Sequence, residues 1–252
     1  MLIREVHTAI AESSGYSLEG SWTPDLVLSK IWVGRELEKI LKSQRVPVAY
    51  VLGSWYGNLA IVLRKMNLNI DHIVNVERNE KWLATGAELS DAMNIHGVEN
   101  MHADANRIDY RQLQEPGVVI NTSLNDVSDH GWFDHIPSGA LVVLQGRDMA
   151  SDGAEHEFHS PDELLKLYPL EQVLYRGSMP MQDPETPYTR HMAIGVKGRE
   201  QIRELSFLGS PCTKDCSGHR AGYYWSAARG NRIANSRSQS FNNGAALRAA
   251  GR

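Results

Sequence analysis

Cysteine is nearly absent from this 252-residue chain, which has only Cys212 and Cys216. Two neighbouring thiols build no disulfide framework, so a disulfide-held extracellular miniprotein is excluded and a reducing cytoplasm is the expected compartment. Long apolar runs are missing too. No stretch approaches the roughly 18 residues of a membrane-spanning helix. The N-terminal MLIREVHTAIAE carries acids in its first turns where a secretion signal would be continuously apolar. No membrane partner is therefore expected. Internal repeats are also lacking, which sets repeat architectures aside.

What is present is a globular composition, 42% hydrophobic and 22% charged, enough for one large α/β domain or a mid-sized domain with an appendage. The net charge of -4 hides an asymmetry. Residues 203–252 hold eight Lys or Arg against two acids, an excess of six, so the preceding part is net -10. Basic tails on acidic bodies often meet an anionic partner. Two regions are expected: a domain over 1–200, with helices at its N-terminus, and a basic, largely irregular tail over 201–252. The tail is rich in Gly, Ser, Asn, Arg and Ala beyond Gly230, a composition that buries too little to order itself.

Within the domain the apolar pattern alternates between two periods. Met1–Ser21 reads as a short helix and a loop. Thr23-Pro24 reads as a helix start, with Thr23 as N-cap, and the apolar face carries the helix over Pro24–Lys42. Val48–Leu52 is wholly apolar between Pro47 and Gly53, as a central parallel strand requires. Further strands are expected at His72–Val76, Met101–Ala103, Val118–Asn121 and Ala140–Gln145. Helices are expected at Asn58–Lys65, Glu80–Met93, Trp132–Ile136 and Pro161–Leu167, the last capped by Ser160. Two final apolar runs, Leu170–Tyr175 and His191–Val196, flank a Pro-containing stretch, Met179–Thr189, expected to be a long loop. Right-handed crossovers then give a doubly wound, mostly parallel seven-stranded sheet with an antiparallel end strand and helices on both faces.

A strand, a glycine turn and a helix place backbone at the carboxyl edge of such a sheet, where doubly wound proteins bind ligands. Here the turn is Gly53-Ser54-Trp55-Tyr56-Gly57. Glu77 closes the second strand, where a carboxylate can accept hydrogen bonds from a ribose diol. Asp104, beside Ala105 in HADAN (His102–Asn106), stands where an adenine amino group could donate. Asn121 closes the fourth strand. On these residues the chain resembles the class I, Rossmann-like S-adenosylmethionine-dependent methyltransferase family over about Pro24–Gly198. VLGSWYG (Val51–Gly57) corresponds to that family's first motif and INTS (Ile120–Ser123) to its fourth. The resemblance implies that Gly53, Ser54, Trp55, Tyr56, Gly57, Glu77, Asp104, Ala105 and Asn121 surround S-adenosylmethionine, with an unknown methyl acceptor. Asn121, Ser123 and His130 are the candidates for the polar group near the transferred methyl. The chain departs from the family pattern in having Leu52, not an acid, before Gly53, bulky Trp55 and Tyr56 inside the turn, and no acidic or Pro-Pro fourth motif. It is also similar to small methyltransferase-like proteins of large tailed marine phages, which would place it in the host cytoplasm.

Other features carry rival readings. The bulky turn suggests an alternative: a catalytically inactive, methyltransferase-like interaction or virion-associated protein whose tail docks a partner. An NAD-type dehydrogenase is disfavoured, because the third glycine of G-x-G-x-x-G is lacking. In the tail, Cys212, Cys216 and His219 could supply three zinc ligands, but the spacing is not that of a common finger. A docking peptide anchored by Tyr223, Tyr224 and Trp225 is the preferred reading, and a protein or an anionic partner is expected for residues 203–252. His130, Trp132 and His135 could shape an acceptor pocket, although a surface loop is preferred. His156 and His159, beside Glu155 and Glu157, read as a solvated loop before they read as metal ligands. His191 is expected to be structural.

Overall fold

The computed structural model describes residues 4–5, 8–9, 19–110, 113, 117–127, 130–149, 156–181 and 186–198. The tail, with Cys212, Cys216, His219 and the aromatic trio at 223–225, lies outside the described residues, as does most of the expected N-terminal helix.

Helix α1 (Pro24–Leu41) leads into β1 (Val46–Leu52), followed by α2 (Asn58–Lys65), β2 (Ile70–Glu77), α3 (Glu80–Ala92) and β3 (Val98–His102). The chain then crosses to β4 (Val118–Asn121), α4 (Gly131–Asp134), β5 (Leu141–Arg147), α5 (Pro161–Leu167), β6 (Gln172–Met181) and β7 (Tyr188–Val196). The seven strands are ordered β3-β2-β1-β4-β5-β7-β6. The first five positions are parallel, and β7 runs antiparallel to both β5 and β6. The antiparallel strand expected at that end is thus β7, one position in from the edge. Because the chain winds outward from β1 to β3 and then jumps back to β4, the winding direction reverses between β1 and β4. That switch point opens a crevice at the carboxyl ends of the two strands.

Both faces of the sheet are covered. Val33, Leu37 and Leu41 of α1 and Leu59 and Leu63 of α2 pack with Ala49, Val51, Ile73 and Val143 on one face. Trp132, Phe133 and Leu164 pack with Tyr50, Leu52, Val119 and Leu144 on the other. A smaller cluster joins Trp22 and Val27 to Ile61, Val62, Leu89 and Met93. Strands buried on two sides need side chains that are apolar in both directions, which is why β1, β4 and β5 read as uninterrupted apolar runs.

Several boundaries differ from those expected. β1 begins at Val46 and takes in Pro47. β3 runs from Val98 to His102 with a mostly exposed pattern; as an edge strand it has little apolar content to reveal it. The two ends of the stretch Met179–Thr189 are strand, since β6 continues to Met181 and β7 starts at Tyr188; residues 182–185 lie outside the described residues. Pro180 is tolerated because β6 is an edge strand, where one side of the backbone needs no ladder partner. α4 is a single turn, Gly131–Asp134. Thr23 occupies the N-cap of α1, but its hydroxyl makes no capping bond and goes instead to the Asp25 carboxylate.

Candidate functional site

The glycine turn bends sharply where β1 ends. Gly53, Trp55 and Gly57 all have positive φ, at 59°, 54° and 71°. The Ser54 N–H donates to the Val76 carbonyl at 3.0 Å and the Gly57 N–H to the Ser54 carbonyl at 2.8 Å. A Cβ on Gly53 would lie 2.9 Å from Ser123 Cβ, and one on Gly57 would lie 2.7 Å from the Asn75 amide nitrogen. Both glycines are therefore demanded by backbone conformation and by side chains of this chain, without reference to a ligand.

Across the crevice the register sets Asn121 against Leu52. The Ser123 hydroxyl donates to the Gly53 carbonyl at 3.0 Å, tying the end of β4 to the turn. The Asn121 side-chain oxygen accepts the Ser123 N–H at 2.9 Å, while its amide nitrogen, in a fully buried residue, has no partner.

Glu77 is 5% exposed at the end of β2. One of its carboxylate oxygens accepts the Trp55 N–H and the other the Asn79 N–H, each at 3.0 Å. Two backbone donors thus hold the carboxylate between the glycine turn and the entry to α3. A carboxylate has about four lone-pair sites, so about two remain for a ligand. The Ala103 N–H donates to the Glu77 carbonyl at 3.1 Å, which brings Asp104 to the same edge. Asp104 is exposed, and its carboxylate caps the Ala105–Arg107 turn through the Asn106 N–H at 3.0 Å. Ala105, half-buried, opens that turn.

Trp55 and Tyr56 do not stand alone. With Trp82, one turn into α3, they form an aromatic cluster with ring separations of 5.0, 6.1 and 6.3 Å. Tyr56 packs against the cluster of Ile61 and Val62, and Trp82 remains 38% exposed. The cluster walls the α3 side of the turn.

Of the ten buried polar atoms without a hydrogen-bond partner among the described residues, four belong to the glycine turn, the start of α2 and the carboxyl ends of β2 and β4: Ser54 Oγ, Asn58 Oδ1, Asn75 Oδ1 and Asn121 Nδ2. Buried polar atoms are otherwise satisfied in folded proteins, so a group of them on neighbouring residues points to a missing partner. Asn58, Asn75, Asn79 and Trp82 were not singled out from the sequence. For Asn75 a signal existed, because an amide inside the apolar run His72–Val76 is out of place unless something pairs with it.

The remaining candidates lie elsewhere. His130 Nδ1 is 3.0 Å from the Tyr168 hydroxyl and its ring stacks on His156 at 5.6 Å. Trp132 is fully buried in the second core, so it is neither a surface loop residue nor a pocket wall. His135 lines a cavity of about 480 Å³ with Arg107 and Tyr110; no residue of the 53–57 turn contributes to it. His159 is exposed and 3.5 Å from the Glu157 carboxylate. His191 sits in β7 with its ring nitrogen 2.8 Å from the Ser178 hydroxyl. Among the described residues no group of three or more His, Cys, Asp or Glu is placed to hold a metal, and no helix is long and apolar enough to cross a membrane.

Comparison with known proteins gives a fold and no sequence family. No family model matches the chain, and no curated protein matches it. Among solved structures it is similar to M. jannaschii TYW2 in complex with AdoMet, with a TM-score of 0.50 and 12% identity over 71% of this chain and 78% of that one. It is also similar to TrmN from Thermus thermophilus (0.49, 15%, over 77% of this chain and 53% of that one). N-methyltransferase NodS from Bradyrhizobium japonicum WM9 gives 0.49 and 11%, over 70% and 98%. Together with the strand order and the antiparallel β7, the fold is that of the Rossmann-like methyltransferases.

Proposed function

We propose that the domain binds S-adenosylmethionine at the switch point and transfers its methyl group to an acceptor. The observation that carries the reading is the buried Glu77 carboxylate, fixed by the Trp55 and Asn79 N–H groups at the switch point, with unpartnered buried polar atoms on neighbouring residues. The TYW2 structure of the same fold is in complex with AdoMet.

The residues present fit such a ligand. Glu77 would accept the ribose hydroxyls with the lone pairs its backbone donors leave free. Asp104 would accept from the adenine amino group, with Ala105 beside it. Ser54 Oγ, Asn58 Oδ1 and the N–H groups that open α2, which has no side-chain cap, would meet the amino-acid end. The bound sulfonium would supply an electrophilic methyl, so the protein's task is alignment and the release of a proton from the acceptor. For the alignment Asn121 is better placed than Ser123, as a hydrogen-bond donor; neither residue is a base that could take the proton. The Asn121 amide N–H is unengaged, whereas the Ser123 hydroxyl is already committed to the Gly53 carbonyl. Trp55 and Tyr56 would form one wall of the site with Trp82.

Calorimetric titration with S-adenosylmethionine tests this, with Trp fluorescence as a second readout. Micromolar binding is expected, weakened at least about tenfold, or 1.4 kcal/mol, in Asp104→Ala and more in Glu77→Ala. Because Glu77 also holds two backbone N–H groups, its variant is checked by thermal melting; Asp104 is exposed and tests the point without disturbing the core. Absence of heat at millimolar ligand, or affinity unchanged in both variants, overturns the assignment.

A further inference from the structure

A second polar cluster is buried two strands away from the glycine turn, under α1. Gln145 follows Leu144, which is registered against Asn121, so it lies at the carboxyl end of β5 on the same edge as the crevice. Arg190 of β7 is registered against Arg147 and reaches Gln145 diagonally across the ladder. Gln145, Tyr188 and Arg190 are all less than 10% exposed. From α1, Asp25 accepts the Tyr188 hydroxyl at 2.5 Å, and Lys30 interacts electrostatically with both Arg190 and Asp25.

The cluster is rich in donors and poor in acceptors. Arg190 has five N–H groups, of which two are used: Nε to the Tyr188 hydroxyl at 3.4 Å and a terminal nitrogen to the Gln145 oxygen at 3.3 Å. The Gln145 amide nitrogen is buried with no partner. Lys30 has no hydrogen bond or ion pair among the described residues. The carboxylate that the described residues bring to the group, Asp25, is already engaged. Asp25 takes the hydroxyls of Thr23 and Tyr188 and the backbone N–H groups of Leu26 and of Asp25 itself, and these bonds outweigh its burial and hold it below the ordinary carboxylate range. The nearby Asp148 accepts the Thr189 N–H at 2.7 Å. Among the described residues two cations stand against one carboxylate, with an orphaned amide between the strands, an arrangement that costs stability unless an anion completes it.

We propose that Arg190 and the Gln145 amide form an anion site that takes a carboxylate or phosphate group, with the half-buried Lys30 of α1 adding a second positive charge. The site stands on its own donors; identifying its occupant as the methyl acceptor rests on the function proposed above. Gln145 shares the carboxyl edge of the sheet with Asn121 but faces α1, whereas Asn121 faces the opposite side, so an acceptor anchored there would have to reach over the strand ends to meet the methyl. The requirement for an anionic acceptor gives the domain a substrate class that the glycine turn does not specify.

The test uses the full chain and simple anions. Sodium phosphate and sodium acetate are each compared with sodium chloride at equal ionic strength, by thermal melting and calorimetry. One of the two is expected to raise Tm by about 5–10 °C at a hundredfold excess over its Kd; which one does so distinguishes a phosphorylated from a carboxylated occupant. Lys30→Met is expected to weaken binding at least tenfold. Gln145→Glu supplies an internal carboxylate to the same donors, so its Tm without added anion should rise and its response to phosphate or acetate disappear. No response beyond chloride, or a response that survives in both variants, overturns the site. Parallel titration with S-adenosylmethionine keeps the two ideas separate. Donor binding without an anion response removes the anion site alone, and an anion response without donor binding leaves the site but removes its reading as an acceptor pocket.

Discussion

At Gly57 the chain has no choice of residue. Its φ of 71° lies in the left-handed region, and any Cβ would press on the Asn75 amide, which is itself bonded to Asn100 at 3.0 Å. Gly57→Ala is expected to lower unfolding stability by about 2–3 kcal/mol, of which roughly 1–2 is the cost of left-handed backbone. Gly20 is the internal control, because nothing lies within 4 Å of its missing Cβ. Gly20→Ala should stay within about 0.5 kcal/mol, and urea denaturation of both variants makes the comparison. Trp55 shares the left-handed geometry without being glycine. Its N–H bond to Glu77 and its contacts with Tyr56 and Trp82 are what hold it there. The two glycines and Glu77 were legible in the sequence, since a turn after an apolar strand and an acid closing the next are local patterns. The partners that give them roles were not. Asn75 and Ser123 meet the turn only after β1, β2 and β4 are side by side.

At the scale of the element, the helix starts carry different devices. The Asn79 side-chain oxygen accepts the Lys81 and Trp82 N–H groups and caps α3, and Ser160 caps α5 through the Glu163 N–H. Asn79→Ala is expected to cost about 1 kcal/mol, the usual value of such a cap. The loss should appear in Tm and as faster amide hydrogen exchange in the first turn of α3. Because the backbone N–H that positions Glu77 survives the substitution, binding of S-adenosylmethionine should fall less than in Asp104→Ala. Thr23 occupies the same kind of position and does something else, directing its hydroxyl to Asp25. Ser160 was readable as a cap because the serine and proline are adjacent in sequence. Thr23 departs because a buried carboxylate two residues on competes for the same hydroxyl.

Over the whole molecule, the Lys30 cluster has a pH signature. Burial and the neighbouring Arg190 charge lower the Lys30 ammonium to about 7, with Asp25 acting in the opposite direction. A group whose folded value lies below its unfolded value binds more protons in the unfolded chain. Its destabilising contribution is therefore fully present below about pH 7 and fades as pH rises towards the unfolded lysine value. In anion-free buffer Lys30→Met should thus be more stable than the native chain near pH 6. The gap should narrow steadily between pH 7 and 10, as chemical denaturation at each pH would show.

The doubly wound sheet was determined by the sequence itself. Four apolar runs buried on both faces, those of β1, β2, β4 and β5, alternating with helices, leave little freedom once crossovers are right-handed. The extension of β6 through Pro180 was decided by tertiary structure, because a proline that rules out a central strand is acceptable on an edge. The pairing of Gln145 with Arg190 and of Glu77 with Trp55 was decided there too. Such contacts arise where strands distant in the chain become neighbours, and a burial pattern read along one strand carries no record of the strand beside it.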